Sequence, residues 1–591
     1  MPSRLPKRVA RLLSLVTLAA AGLTASTTPP ASAAATATVS IDANQRLATI
    51  PAAGVGMNVA VWDGRMNDPV TSTLLKDAGV TAVRYPGGSY ADGYHWQTHT
   101  TEGGWYIAAN TEFDKYVATT RAAGAQPIVT ANYGSGTPQE AADWVRSANI
   151  TKGYGIKYWE IGNEVYGNGH YGAEWEMDKH ASKTPATYAT NLVQYANAMK
   201  AVDPTIKIGA VLTTPGNWPD GIVGSGDTMD WNNTVMSIAG SRIDYVIVHH
   251  YPNSANEGEL LTKPQTEVAT MTRALRDLIT RYAGANAPNV GIAVTEESSN
   301  FALNTSPSGL YAPDVYLTWL ENGAFNIDWW NLRNGTDCKN VKTIQGATDY
   351  NDGGVVSSGE TCEPAANTPF PPYYGIQMMT KLGGPGDTLV RATSSGSLLS
   401  EHAVKRANGD LTVMLINKDP ANAATVNLSY SGYTPSSAAP TVYSYLKNAS
   451  AIGTATTGTA ATQTVPAYSI AVVRLRAGGG GDPGDPGTGA CRVDYTKSEW
   501  QGGLTANVTI RNTGGSPVNG WRLTFTFPGD TRITQPWNAN VTQSGAAVTA
   551  TNVTYNGDIP AGGSQSFGFQ GTWSSNDANP TGFALNGSPC S

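Results

Sequence analysis

The sequence predicts an α/β chain: a (β/α)8 TIM barrel followed by a β-sandwich, then a linker and a separate small β-sandwich. Three observations carry this. Eight short β-branched runs alternate with helix-length segments from Val55 to Trp330; repeated βα units over that length fit a closed barrel better than a doubly wound sheet. From Tyr373 to Arg476 the texture turns to strand-length runs separated by Ser, Gly, Thr and Pro. A tract of Gly and Pro then isolates a last segment of short alternating strands.

Taken in order, residues 1–33 read as an export signal. Arg4, Lys7, Arg8 and Arg11 precede an apolar run from Leu12 to about Ala25, and Ala31-Ser32-Ala33 follows as a cleavage site. The run is shorter than the roughly 20 apolar residues of a membrane anchor. No later segment is long and apolar enough to span a bilayer, so a secreted, extracellular protein is expected.

The barrel is assigned to 34–372. Its strand candidates are Val55–Asn58, Thr81–Tyr85, Pro127–Ala131, Ile156–Ile161, Ile206–Val211, Asp244–His249, Val290–Thr295 and Phe325–Trp330. Between them lie helical stretches such as Thr184–Val202, where Tyr188, Leu192, Tyr195 and Met199 recur at helical spacing until Pro204. The sandwich spans 373–476, with Leu411–Asn417 and Ile470–Leu475 as strands, joined by the early strand Ala37–Ile41. The linker is 477–490 and the terminal module 491–591.

Composition narrows the function. In 591 residues, Lys+Arg 38 against Asp+Glu 45 gives a net charge of -7. No basic excess exists for nucleic acid or an anionic membrane, so neither is expected as a partner. Tyr 27 and Trp 15 far outnumber Phe 9, and polar-tipped rings suit sugar faces as well as cores. Four cysteines in an exported chain suggest disulfides. Of three connectivities, Cys338 with Cys362 and Cys491 with Cys590 is favoured, because each pair then stays within one domain. No Cys-x-x-Cys or Cys/His cluster exists, so neither a metal nor a cofactor is expected.

Catalytic groups of a barrel sit at the C-terminal strand ends. Strand four ends Glu160-Ile-Gly-Asn163-Glu164 and strand seven ends Thr295-Glu296-Glu297. Two carboxyl groups about 5–5.5 Å apart are what a retaining glycosidase needs, one as acid/base and one as nucleophile. Arg84, after strand two in Arg84-Tyr-Pro-Gly-Gly88, is placed to support a carboxylate. His249, His250 and Tyr251 end strand six, and Trp329 or Trp330 at the end of strand eight offers a stacking floor. Glu297 rivals Glu296, but neighbours on an extended strand face opposite ways. Only one of the two can therefore face the barrel mouth.

Together these strand ends resemble a clan A glycoside hydrolase. The resemblance implies Glu164 as acid/base, Glu296 as nucleophile and Asn163 on the substrate's 2-hydroxyl, with Arg84, His249, Tyr251 and Trp330 also at the substrate. Arg84 to Trp96 is similar to the Arg-x-Pro-Gly-Gly segment of family 51 α-L-arabinofuranosidases, and His249-His-Tyr-Pro252 is as close to family 39. The sequence departs from family 51 at Val165–Tyr171 and at strand one, where Asn58 stands and no glutamate is found.

The terminal segments Cys491–Tyr495, Val518–Trp521, Trp537–Ala539 and Phe567–Phe569 resemble a family 2 carbohydrate-binding module. That likeness implies a flat strip of Trp500, Trp537 and Tyr555 against cellulose, with Tyr555 where Trp is usual, and Trp521 in the core. The expected activity is removal of α-L-arabinofuranosyl units from arabinoxylan or arabinan. An endo-β-glucanase, β-xylosidase or galactofuranosidase of the same clan is the alternative, and a non-catalytic cellulose-binding protein the alternative of another class.

Overall fold

The structure is a computed structural model that describes residues 35–172, 174–216, 228–478, 491–514 and 516–590. The expected export signal at 1–33 and all but the first two residues of the expected linker lie outside the described residues. Eight parallel strands close a barrel in chain order: Val55–Asn58, Ala82–Tyr85, Gln126–Ala131, Tyr158–Ile161, Lys207–Val211, Tyr245–His250, Gly291–Glu297 and Asn326–Trp329. They are buried along nearly their whole length. Both faces of a parallel sheet are covered, which is why these segments read as continuous apolar runs and not as alternations.

Eight α-helices among the described residues cover the barrel: α1 (Pro69–Asp77), α2 (Phe113–Ala122), α3 (Pro138–Val145), α4 (Pro185–Val202), α5 (Thr228–Ala239), α6 (Glu257–Tyr282), α7 (Ser306–Glu321) and α8 (Pro371–Leu382). Their starts are written locally. Thr137, Thr184 and Asn256 each accept a first-turn N–H with the side chain, and proline occupies the first turn of α3 and α4. Helix α8 runs across the boundary expected at 372/373, so the eighth βα unit is complete only at Leu382.

The sandwich is built from a nine-stranded sheet. The early strand is longer than expected, Ala35–Thr49, and pairs parallel to Ala424–Ser431 and antiparallel to Thr388–Ser394. Strand Leu411–Asn417 is buried throughout. Its Met414 and Ile416 pack into the barrel's cluster, while Val413 and Leu415 pack into the sandwich's own. Alternate side chains of one strand thus weld the two units together.

The terminal unit holds a four-stranded and a five-stranded sheet around Trp521, Phe525, Phe567 and Phe569. Disulfides join Cys491 to Cys590 there and Cys338 to Cys362 in the segment after barrel strand eight.

Candidate active site

A pocket of about 310 Å³ opens at the C-terminal mouth of the barrel, lined by Gly88, Ser89, Asn163, Glu164, Tyr251, Glu296, Asn300 and Trp330. Strand four delivers Asn163 and Glu164 through a sharp turn. Gly162 takes φ 79°, and a Cβ there would strike Val165 and Tyr133. Glu164 itself sits in the left-handed region at φ 36°, a strained conformation that clusters at functional sites.

Strand seven delivers Glu296 through an irregularity: its pairing with strand six shifts between Val294 and Glu296. The Thr295 carbonyl at this bulge accepts from Asn58 Nδ2 at 2.8 Å. Asn58 therefore braces the bulge.

One oxygen of Glu164, one of Glu296 and a ring nitrogen of His249 lie within 4.8 Å of one another. Arg84 is fully enclosed beneath them. Its Nη1 donates to Glu296 Oε1 at 2.9 Å and to Asn58 Oδ1 at 3.0 Å, its Nη2 to Asn163 Oδ1 at 2.7 Å, and its Nε to Glu160 Oε2 at 2.7 Å. Tyr251 donates to the other Glu296 oxygen at 2.6 Å.

Glu164 has a different setting. Trp175 Nε1 donates to its Oε2 at 2.7 Å, and His249 Nδ1 lies 2.9 Å from its Oε1. Burial raises the Glu164 pKa, against the hydrogen bonds from Trp175 and Tyr166. Burial also lowers His249 to about 4, overcoming the opposing charge of Glu296, so the imidazole is neutral at ordinary pH. One carboxyl raised by burial facing another hydrogen-bonded by an arginine is the kind of asymmetry acid/base chemistry requires. Among the described residues, Glu164, His249 and Glu296 are the one trio whose atoms converge as metal ligands do. Those atoms are already engaged by Arg84, Tyr251, Trp175 and one another, and the cation of Arg84 occupies the floor, a donor set that fits proton chemistry better than an ion.

Of the residues expected at the substrate, Asn163, Tyr251 and Trp330 line the pocket. Arg84, 1% exposed, and His249, 3% exposed, lie against the carboxyl groups of Glu296 and Glu164, in keeping with the carboxylate-supporting role expected of Arg84. Of the Trp pair, Trp330 lines the pocket and Trp329 is buried. Glu297 turns to the helices, where its Oε2 lies 2.8 Å from His250 Nδ1 and its Oε1 accepts from Tyr311 at 2.9 Å. Despite burial, the charge of Glu297 raises His250 to about 9. Glu297 and His250 are thus paired on the helix side of strand seven, while Glu296 lines the pocket.

Sequence reasoning missed Glu160, Ser89, Asp92, Trp175 and Glu176. Glu160 was legible in principle, since a charged residue within a barrel strand needs a buried partner and Arg84 was in view. Trp175 reaches Glu164 by lying over Gly167, where a Cβ would meet its ring at 2.2 Å. This accounts for Gly167 within the segment that departs from family 51. Glu176 Oε1 accepts from Asn163 Nδ2 at 3.0 Å and from Ser89 at 2.6 Å, and Asp92 accepts the Asn163 backbone N–H at 3.0 Å.

A barrel with paired glutamates at its mouth, welded to a β-sandwich, is a glycoside hydrolase-like fold. The α-L-arabinofuranosidase from Thermotoga maritima, solved as an arabinose complex, superposes with a TM-score of 0.57 at 20% identity, over 74% of this chain and 99% of that one. In sequence, the probable alpha-L-arabinofuranosidase C of Aspergillus clavatus is 27% identical over 228 residues, 32% of this chain and 41% of that protein. Residues 491–590 match the family model of the cellulose binding domain. Exoglucanase A of Cellulomonas fimi is 44% identical over 103 residues, 17% of this chain and 12% of the exoglucanase. The chain therefore spans well under two thirds of these curated relatives' own lengths.

Proposed function

We propose that this chain is a secreted, retaining glycoside hydrolase that releases α-L-arabinofuranosyl units from arabinoxylan or arabinan, and that residues 491–590 hold it on cellulose. The approach of Glu164 and Glu296 to within 4.8 Å carries the reading. That separation suits direct attack by one carboxylate on the anomeric carbon, and it is too short for the water an inverting pair must fit across about 6.5–9.5 Å. Glu296, clamped by Arg84 and Tyr251, attacks the sugar while Glu164 protonates the departing oxygen. Glu164 then takes a proton from the water that releases the glycosyl-enzyme. His249 and Trp175 aim Glu164, and Trp330 forms part of the pocket wall.

Turnover of p-nitrophenyl α-L-arabinofuranoside, β-xyloside and β-galactofuranoside by the wild type, Glu164→Gln and Glu296→Gln tests this. The arabinofuranoside should be cleaved. Loss of the nucleophile in Glu296→Gln should cost at least about 10³-fold in kcat. Azide should restore cleavage in Glu164→Gln by replacing the water that needs a base. Cleavage of the β-xyloside alone would overturn the sugar assignment, and full activity in Glu296→Gln would overturn the nucleophile.

A further inference from the structure

Four aromatic rings form a continuous row that starts in the pocket and leaves it. Trp330, in the pocket wall, has its ring centroid 5.9 Å from Trp62; Trp62 is 4.7 Å from Tyr90, and Tyr90 5.1 Å from Trp105. All four are partly exposed, and Tyr106 beside Trp105 is 68% exposed. Tyr90 packs on the barrel core and anchors the row. Trp62, Trp105 and Trp330 are not among the residues packed on that core.

Space for the rings is made by missing side chains. A Cβ on Gly87 would meet the Trp62 ring at 3.0 Å, and one on Gly88 the Trp330 ring at 2.7 Å. The rings come from three separate stretches of chain, after barrel strands one, two and eight, and meet on one side of the mouth. Successive rings are inclined to one another by 49–52°, so the row turns from ring to ring. Apolar packing alone does not call for such a row outside the core, whereas stacking on sugar faces does, because each ring offers a flat apolar face with a polar edge.

We infer that this row is a binding track for the backbone of a polysaccharide, a chain of linked pyranose rings, whose side-branch sugar enters the pocket. The inference rests on the proposed hydrolase reading and deepens it: the enzyme grips the polymer next to the branch it cleaves. Trp105 marks the far end of the track, remote from Glu164 and Glu296 along the row.

Trp105→Ala and Trp105→Phe, in the full chain, test it through KM on soluble arabinoxylan relative to KM on p-nitrophenyl α-L-arabinofuranoside. Trp105→Ala should raise that ratio about 3- to 10-fold, as loss of one stacked ring predicts, and Trp105→Phe should restore most of it. An unchanged ratio in Trp105→Ala overturns the track. A second measurement separates this from failure of the hydrolase reading: retention in native gels containing soluble arabinoxylan, with Trp537→Ala as the background to remove the terminal module's contribution. If the aryl arabinofuranoside is not cleaved, the proposed activity falls. Retention that Trp105→Ala weakens would still support the track, and retention it leaves intact would refute it.

Discussion

At the scale of single residues, the candidate site turns on how Asn163 is held. Its Oδ1 accepts from Arg84, its Nδ2 donates to Glu176, and its backbone N–H donates to Asp92. The amide therefore cannot flip without breaking a charged hydrogen bond. Burial, then the charge of Asp92, raises Glu176 well above the usual carboxylate range, and its Oε1 serves as the acceptor for both Asn163 and Ser89. Glutamine keeps that acceptor, and Glu176→Gln should stay within about threefold of wild-type kcat/KM. Glu176→Ala leaves the Asn163 amide and Ser89 hydroxyl without their acceptor, at about 1–3 kcal/mol, or about 5- to 150-fold in kcat/KM. Equal losses in the two variants would mean that an ionised carboxylate is needed, contrary to this account. None of this was legible from the chain. Glu164 and Glu296 end β-branched runs, where the barrel rule points directly, but Trp175 and Glu176 lie in an irregular loop whose path depends on contacts such as Gly167 against Trp175. Ser89 and Asp92 follow the Pro-Gly-Gly turn with nothing local to mark them.

At the scale of elements, the strands were the most readable feature, because a covered parallel sheet writes each strand as a short apolar run between turns. Their ends shifted by one or two residues, as with Val290–Thr295, which extends to Glu297 across its bulge. The seam between α7 and the sandwich was invisible, since its partners are separated by 86 and 88 residues. Asp314 on α7 is enclosed there, accepting from His402 Nε2 at 2.9 Å, Gln265 at 2.7 Å and Ser400 at 3.0 Å, with Lys418 Nζ 2.7 Å away. His402 also lies 2.8 Å from Glu321, so two cations face two anions. Asp314→Ala removes the anion shared by Lys418 and His402, leaving His402 only Glu321, and should cost about 3–5 kcal/mol, read as a lower urea midpoint. The pH dependence follows from the signs. Burial opposes protonation of His402, but Glu321 and Asp314 prevail and raise it from 6.5 to about 10. Its contribution is complete below pH 6.5 and lost as pH rises through about 10. Asp314 is held below its ordinary 3.8 by Lys418 and His402 despite burial, so its contribution is present above that pH and lost in acid. His402→Gln should flatten the alkaline limb of stability against pH; an unaltered limb would remove His402 from the account.

At the scale of the whole molecule, the aromatic richness of the composition resolves into three places: the core, the row beside the pocket and one face of the terminal unit. On that face Trp500 is 54%, Trp537 36% and Tyr555 73% exposed. Trp500 lies against Gly503 and Trp537 against Gly568, each a cross-strand partner where a Cβ would meet the indole within 2.5 Å. The glycines let the rings lie down on the sheet, which leaves their outer faces free for a flat ligand. Tyr555 is steadied by donating to Asn538 at 2.7 Å. Anchoring a hydrolase beside its substrate raises the local substrate concentration without any new contact at the reacting bond. The effect of removing the anchor must then depend on where the substrate is. Trp500→Ala combined with Trp537→Ala should weaken binding to crystalline cellulose by about tenfold or more, while kcat/KM on soluble arabinoxylan stays at the wild-type value. Release of arabinose from arabinoxylan adsorbed on cellulose should fall between those limits and approach wild type as enzyme concentration rises, because mass action replaces tethering. Tyr555→Trp should shift cellulose binding the other way, by enlarging the stacked face. Undiminished cellulose binding in the double variant would take the flat-face role from these rings. Lost turnover on soluble arabinoxylan would instead make the terminal unit part of the catalytic site.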